Sequence, residues 1–329
     1  MAMSALLEID NLSTAFATDH GAVTIVDRVT LSVEKGRTLC IVGESGSGKS
    51  ILSLSLMGLL PASGMISGDG VRLAGEDLLV LDDEEMRSIR GRRIAMIFQE
   101  PMTSLNPVFT IGDQLVEALR SHDRKTPTRQ LRQRALEALK QVEMTDPERR
   151  LGQFPHELSG GMRQRVMIAM ALIMQPEVLI ADEPTTALDV SVQAQILALI
   201  KRLQRDTGMG IIFITHDLGV VSEIADEVAV MYAGRVVERA SAEEIFRNPQ
   251  HPYTIGLLAS VPRLDGGEER LHSVDGIVPT PDRFPTGCRF HPRCVFADES
   301  CAQTDPQLLE LVPGHQVACL KVPLEGCEK

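Results

Sequence analysis

Two stretches near the start of the chain, residues 6–16 and 23–33, alternate apolar and polar positions with interruptions, and DHG lies between them. Alternation of that kind is the mark of strands with one buried face, so an antiparallel β start is predicted. Residues 39–42 then run apolar into a glycine-rich turn, and SILSLSLMGLL follows with a helical pattern that stops at Pro61. Between residues 99 and 156 the pattern is mostly helical: IGDQLVEALRSH and RQLRQRALEALKQVEM both carry apolar residues at i, i+3 and i+4. Two short apolar runs, 178–181 and 211–215, flank a helix predicted over 192–203. Short buried strands alternating with helices predict a parallel sheet and an α/β fold. From about Asn248 the texture changes to Pro, Gly and Cys, which predicts a separate C-terminal extension.

Composition narrows the class. With 329 residues, 43% hydrophobic and 24% charged, the chain can bury one sizeable core plus an appendage and is neither disordered nor fibrous. The formal net charge of −12 leaves no broad basic footprint for a phosphate backbone, so no nucleic-acid partner is expected. A local phosphate site stays compatible with that charge, because backbone amides and one lysine can hold a nucleotide in an acidic protein. The most apolar stretches, 51–60 and 166–174, fall well short of the ~20 residues that span a bilayer. The opening MAMSALLEID lacks the cationic flank of a secretory signal. A cytoplasmic chain is expected, with any membrane role supplied by partner subunits.

Residues 43–50 read GESGSGKS, that is Gly43, Glu44, Ser45, Gly46, Ser47, Gly48, Lys49 and Ser50, a full match to G-x-x-x-x-G-K-[ST]. The glycines let consecutive backbone amides turn inward around a β-phosphate, and the following helix offers its positive end. Lys49 is expected to reach the β/γ-phosphates and Ser50 the Mg²⁺. Further on, VLIADEP ends an apolar strand in two carboxylates. Alternation puts them on opposite sides of the strand end. Asp182 then suits an outer-sphere Mg²⁺ role and Glu183 the polarising of an attacking water. Without a phosphate loop such a pair would read as a helix cap or solvated corner.

The segment LSGGMRQR at 158–165 resembles the signature sequence of ABC ATPases. Around it stand the family's other elements in order. Gln99 in MIFQEP resembles the Q-loop, Leu188 and Asp189 in TALDV the D-loop, and His216 in IFITHD the switch histidine. Phe16 sits where the family places the aromatic that stacks on adenine. The signature departs from the commonest form by Met162 in place of glutamine, while Ser159, Gly160 and Gly161, which carry the polar contact, are intact. The resemblance implies an ATP- and Mg²⁺-dependent hydrolase. Its catalytic residues would be Glu183, His216 and Gln99, and its Mg²⁺ would lie near Ser50, Gln99 and Asp182. Its nucleotide would also meet Asp189 and the signature of an opposing subunit in a head-to-tail pair. It implies a nucleotide-binding core over 1–98 and 166–247, a mainly parallel sheet with an N-terminal antiparallel β subdomain. A helical subdomain over 99–165 and the extension over 248–329 complete the expected division.

QEPMTSLNPVFTIGDQ and NPQHPYTIGLLASVP are similar to the peptide and nickel importer group. That implies import, a second homologous ATPase subunit, two membrane permease subunits, an extracytoplasmic substrate-binding protein, and a peripheral place on the cytoplasmic face of the membrane. The cargo stays open among dipeptide, oligopeptide and nickel. Cys40 falls in a predicted core strand, and Cys288, Cys294, Cys301, Cys319 and Cys327 fall late in the chain. Disulfides are not expected in the cytosol, and gaps of five, six and seventeen residues do not match the close C-x₂₋₄-C pairs of structural zinc. TGCRFHPRCVFADESC with the later VAC resembles the extension of di/oligopeptide importer ATPases. It implies a four-iron four-sulfur cluster on Cys288, Cys294, Cys301 and Cys319, with reduced thiols as the alternative reading.

A soluble ABC ATPase acting on nucleic acid or the ribosome is the main rival. The long coiled coil of repair-type relatives and the second module of translation-type relatives are both missing from the sequence. A non-catalytic subunit is opposed by the intact Glu183 and His216, and an exporter by the lack of fused membrane helices. Met162, Met167, Met170 and Met174 follow the signature at near-helical spacing and are expected in the core. The segment LDDEEMRSIRGRR is expected to be a solvated turn and helix face.

Overall fold

The computed structural model describes residues 5–19, 21–99, 104–186, 188–260 and 274–324. In chain order the strands are β1 (Leu7–Thr18), β2 (Gly21–Val33), β3 (Thr38–Val42), β4 (Gly64–Ser67), β5 (Gly70–Leu73), β6 (Glu76–Asp77), β7 (Ile94–Ile97), β8 (Val178–Asp182), β9 (Gly210–Thr215), β10 (Glu227–Tyr232), β11 (Arg235–Ser241), β12 (Leu309–Val312) and β13 (His315–Val317). They fall into two compact units. One comprises Val80–Phe213 with Glu34–Arg37; the other comprises Leu7–Val33, Thr38–Leu79 and the chain from Ile214 on.

In the second of these units β1 and β2 form the predicted antiparallel hairpin, in register from Leu7↔Val33 to Thr18↔Gly21. Every second residue over its first half, Leu7, Ile9, then Leu12 after a bulge, is fully buried, as half-buried strands require. β4 and β5 pair with β1, and β6 with β5, to complete a five-stranded sheet. A further run of paired strands has the order β12-β13-β11-β10-β3. β3 and β10 are parallel, from Leu39↔Glu227 to Val42↔Val230, and all five residues of β3 are buried. The β12–β13 hairpin, which no sequence signal announces, docks on β11 through Glu238↔Val317 and Arg239↔Gln316.

Helix α1 (Lys49–Leu56) ends earlier than its hydrophobic pattern suggests. Gly58 takes φ 59°, and the Leu59 N–H reaches back to the Leu54 carbonyl at 2.9 Å. That 6→1 closure stops the helix before Pro61 is reached.

The other unit holds the strand run β9-β8-β7, with β7 and β8 parallel and in register from Ile94↔Val178 to Ile97↔Ala181. β8 is buried along its whole length, as a strand covered on both faces must be. Helix α2 (Asp83–Ile89) starts with a capping box between Asp82 and Glu85 and presents the expected solvated face, with Met86 and Ile89 turned inward. The predicted helices appear as α3 (Ile111–His122) and α4 (Thr128–Gln141). Ile111, Leu115 and Leu119 of α3 pack with α4 residues Leu131, Ala135 and Leu139, all fully buried. At about 1.5–3 kcal/mol for each large side chain taken from water, this stripe is enough to fix the pair. Helix α5 (Gly160–Leu172) begins within the signature; Met167 is buried, and Met162, Met170 and, just past the helix, Met174 are half-buried. The helix predicted over 192–203 extends further, as α6 (Val190–Thr207), until Gly208 at φ 71° ends it. Among the described residues no helix is long and apolar enough to cross a membrane.

Candidate functional site

The phosphate loop leaves the buried end of β3 and enters α1. Gly43 takes φ 154°, and a Cβ built there would lie 2.2 Å from the Met231 carbonyl oxygen of β10. Only glycine lets the loop start so close to the neighbouring strand. Gly48, at φ 102°, is the residue from which α1 begins. Lys49 is buried, and its ammonium donates to the carbonyls of Gly43 at 2.7 Å and Glu44 at 2.9 Å and to Ser47 Oγ at 3.3 Å. A lysine held inside its own loop, at a helix N-terminus, is a cation fixed where phosphate oxygens would arrive. The loop residues therefore fit a nucleotide triphosphate.

Phe16, on β1, is half-buried and pairs with Val23 and Gly64. His216 follows β9 directly and is exposed. Its neighbour Asp217 caps helix α7 (Leu218–Ile224), accepting from the Gly219 amide at 2.8 Å and the Val220 amide at 3.3 Å.

The other unit carries the carboxylates. Asp182 ends β8 and is 3% exposed. Glu183 follows with φ 48°, a left-handed conformation that costs a non-glycine residue about 1–3 kcal/mol and persists only where neighbours hold it. Here the Thr186 amide donates to the Glu183 carbonyl at 3.2 Å, and Thr186 Oγ1 to the Glu183 carboxylate at 2.9 Å. Because Ile97 pairs with Ala181, residues two further along each strand come together. Gln99 Nε2 donates to Glu183 Oε2 at 3.0 Å. Glu100–Thr103, the rest of the Q-loop, lie outside the described residues.

Ser159 caps α5, its hydroxyl accepting from the Met162 amide at 3.4 Å, so Met162 enters through its backbone and the substitution leaves the cap intact. A Cβ on Gly161 would stand 2.8 Å from Val192 of α6, and one on Gly160 3.9 Å from Leu188. The signature thus packs its bare backbone against the D-loop and the start of α6. Asp189 is the exposed N-cap residue of that helix.

Two residues with no signal in sequence join the phosphate loop. Arg293 makes a bidentate pair with the Glu44 carboxylate, and Tyr253, on helix α8 (Pro252–Ala259) in the second unit, accepts from the Glu44 amide. Tyr253 lies inside the quoted NPQHPYTIGLLASVP, yet nothing marks it apart there. A cleft of about 570 Å³ elsewhere in the same unit is lined among others by Asp27, Arg28, Arg235 and Asp305. These pair with one another, so their charges are already satisfied.

The iron–sulfur expectation does not hold. Cys288, Cys294, Cys301 and Cys319 do line one narrow pocket with Phe290 and Lys321, but the space there, about 10 Å³, is roughly what a single water needs. Among the described residues no group of three or more His, Cys, Asp or Glu side chains is arranged to hold a metal ion. Burial raises the Cys294 and Cys319 thiols and pushes Cys288 up to about 11. Cys327 lies outside the described residues.

Comparison with known proteins agrees with this geometry. The ABC transporter family matches residues 26–186, and the oligopeptide/dipeptide transporter C-terminal region matches residues 237–301. The oligopeptide transport ATP-binding protein AppD of Bacillus subtilis is 51% identical over 99% of this chain and 100% of its own. The dipeptide transport ATP-binding protein DppD of Haemophilus influenzae is 50% identical over 97% of this chain and 94% of its own. The dimeric structure of MJ0796, a bacterial ABC transporter cassette, superposes with a TM-score of 0.62 at 28% identity, over 72% of this chain and 98% of that one. The same cassette in a post-hydrolysis state with ADP and Pi gives 0.60. The chain has the α/β ABC cassette fold and belongs to the family of ABC transporter ATP-binding subunits, in the branch that carries the oligopeptide/dipeptide transporter C-terminal region.

Proposed function

We propose that this chain hydrolyses ATP to power the import of di- or oligopeptides through a membrane ABC transporter. The observation that carries the reading is Lys49, buried and held by three acceptors within a glycine loop. The peptide cargo rests on the names of relatives about 50% identical along nearly the whole chain. Lys49 and the loop amides would hold the β- and γ-phosphates, Phe16 would stack on the base, and Ser50, Gln99 and Asp182 would serve Mg²⁺, which neutralises charge on the transferring phosphoryl group. Glu183 would orient and polarise the attacking water. Its hydrogen bond to Gln99 supports a role for that amide in positioning it. His216 would sense the γ-phosphate, and Ser159, Gly160, Gly161 and Asp189 would complete the site of an opposing subunit.

The partners in this reading are a second, homologous ATPase subunit, two membrane permease subunits and an extracytoplasmic substrate-binding protein, with the chain on the cytoplasmic face. The functional division stays as residues 1–98 with 166–247, 99–165 and 248–329. Val108 and Phe109, 72% and 49% exposed, sit on a turn that Gln114 pins through the Asn106 and Phe109 carbonyls. That rigid apolar tip supports contact of the helical segment with a membrane subunit.

The test is Mg²⁺-dependent ATP hydrolysis by wild type and Glu183→Gln, each reconstituted with its second ATPase and membrane subunits. Wild type should turn over, while Glu183→Gln should bind ATP and hydrolyse it about 100-fold or more slowly. An unchanged rate in Glu183→Gln would refute the catalytic role.

A further inference from the structure

The phosphate loop carries a negative charge of its own, and the C-terminal part of the chain holds it. Arg293 Nη1 and Nη2 lie 2.8 and 3.0 Å from the two carboxylate oxygens of Glu44, the fork-to-fork geometry that makes such pairs strong. The Arg293 side chain is only 6% exposed and that of Glu44 29%. The guanidinium is fixed from its other side as well. Its Nε donates to the Asp275 carbonyl at 2.8 Å and Nη2 to the Val274 carbonyl at 3.1 Å, with the Tyr232 and Phe290 rings 5.7 and 5.9 Å away. The backbone of Glu44 is gripped too: its N–H donates to Tyr253 Oη at 2.8 Å. Tyr253 is fully buried and packs on Tyr232 and Phe290. At the far end of the loop the Ser47 carbonyl accepts from the Gly234 amide at 2.9 Å, and Arg289 donates to the adjacent Ala233 carbonyl at 2.5 Å. The segment around 289–293 therefore touches the loop at Glu44 and, near its far end, the Ala233–Gly234 turn that bonds Ser47.

A triphosphate brings several negative charges to this loop, and a bare carboxylate within it would repel them. We infer that Arg293 and Tyr253 are positioning residues for ATP: Arg293 cancels the charge of Glu44, and Tyr253 fixes its amide, so that the loop is set to receive the triphosphate. The inference rests on the reading that this loop binds ATP. It gives the C-terminal segment a direct part in nucleotide affinity, and it explains why an acidic residue is tolerated at the second loop position.

The experiment is equilibrium binding of a non-hydrolysable ATP analogue with Mg²⁺ to the full chain. Arg293→Gln should weaken binding about tenfold, the scale of one charge-assisted interaction. Glu44→Gln, which removes the charge but leaves the buried Arg293 without its carboxylate, is measured beside it as the reference for the double variant. The double substitution E44Q/R293Q should recover to within about threefold of wild type. Tyr253→Phe, which deletes only the acceptor of the Glu44 amide, should weaken binding about threefold to tenfold. Unweakened binding in Arg293→Gln would overturn the inference, and so would a double variant as weak as the single one, since a loss from general loosening is not repaired by removing a second side chain. Should Arg293→Gln fail to fold by circular dichroism, Arg293→Lys decides instead: it keeps the charge, so a tenfold loss there would refute the neutralisation. Lys49→Ala separates the two readings. Intact binding in Lys49→Ala refutes the ATP assignment of the loop, whereas lost binding there beside an unaffected Arg293→Gln refutes the positioning role alone.

Discussion

Glu238 gives the most demanding test of how the C-terminal segment is held. It lies in the middle of β11 and is completely buried. One carboxylate oxygen accepts from the Gln250 amide at 2.6 Å and from His315 Nε2 at 2.8 Å, and the other from the His251 amide at 2.9 Å. Three pieces of chain meet on one side chain: β11, the turn that leads into α8, and β13. Glu238→Ala removes both acceptor oxygens and leaves two backbone donors and an imidazole without partners. Each such orphan costs about 1–3 kcal/mol, so for three donors toward the lower part of that range about 3–5 kcal/mol is expected in total. At about 2 °C per kcal/mol for a chain of this size, the melting temperature should fall by about 6–10 °C in calorimetry or thermal circular dichroism. Glu238→Gln keeps an oxygen for the backbone donors and should lose less than half as much. A fall under about 2 °C in Glu238→Ala would refute the reasoning, because it would mean that the three donors find water or other acceptors at no cost.

Two more substitutions probe the loop and its surroundings. Gly43→Ala drives a methyl to 2.2 Å from the Met231 carbonyl, so nucleotide affinity should drop at least tenfold with a lowered melting temperature. Gly46→Ala, at φ 81° but with nothing within 4 Å, should cost only about 1–2 kcal/mol of backbone strain; equal penalties at both positions would contradict the packing argument. His251 is completely buried, and that burial lowers its pKa to about 4 against the opposing pull of Glu238, whereas the unfolded chain has an ordinary histidine near 6.5. As pH falls through this window the unfolded state takes up the proton first, so the stability present above pH 6.5 is progressively lost toward pH 4. The loss between pH 7 and 5 should be about 2 kcal/mol larger in wild type than in His251→Asn, whose oxygen can still cap the Tyr253 amide; parallel pH profiles in denaturant titrations would exclude this origin.

What could be read from the sequence follows the range of the forces involved. The hairpin, the apolar strands β3, β8 and β9, and the helices α3, α4 and α6 are written in local periodicity, because burial of one face is decided residue by residue. The phosphate loop is equally legible, since Gly43 must admit the Met231 carbonyl and a lysine must stand at the start of α1. Even the Gln99–Glu183 contact follows from two strand ends once β7 and β8 are known to be parallel. The end of α1 was hidden by a local competition instead: the apolar pattern continues to Leu60, yet Gly58 closes the helix with a backbone bond that hydrophobicity does not encode.

The C-terminal segment is illegible for a different reason. In sequence Glu44 occupies one of the unspecified positions of the phosphate-loop motif, and its partner Arg293 stands 249 residues away in a stretch whose visible feature is cysteine. Composition draws the eye to those thiols as ligands. Yet a ligand site needs room, and the pocket between Cys288, Cys294, Cys301 and Cys319 holds only about 10 Å³. The charged residue beside the cysteines is the one that reaches a site of chemistry. An arginine withdrawn from water, with a carboxylate on one side and three backbone carbonyls on the other, would be a liability if it only filled space, since its desolvation must be offset by each of those bonds. Its position is accounted for once Glu44 is seen as a charge that the phosphate loop cannot leave uncompensated.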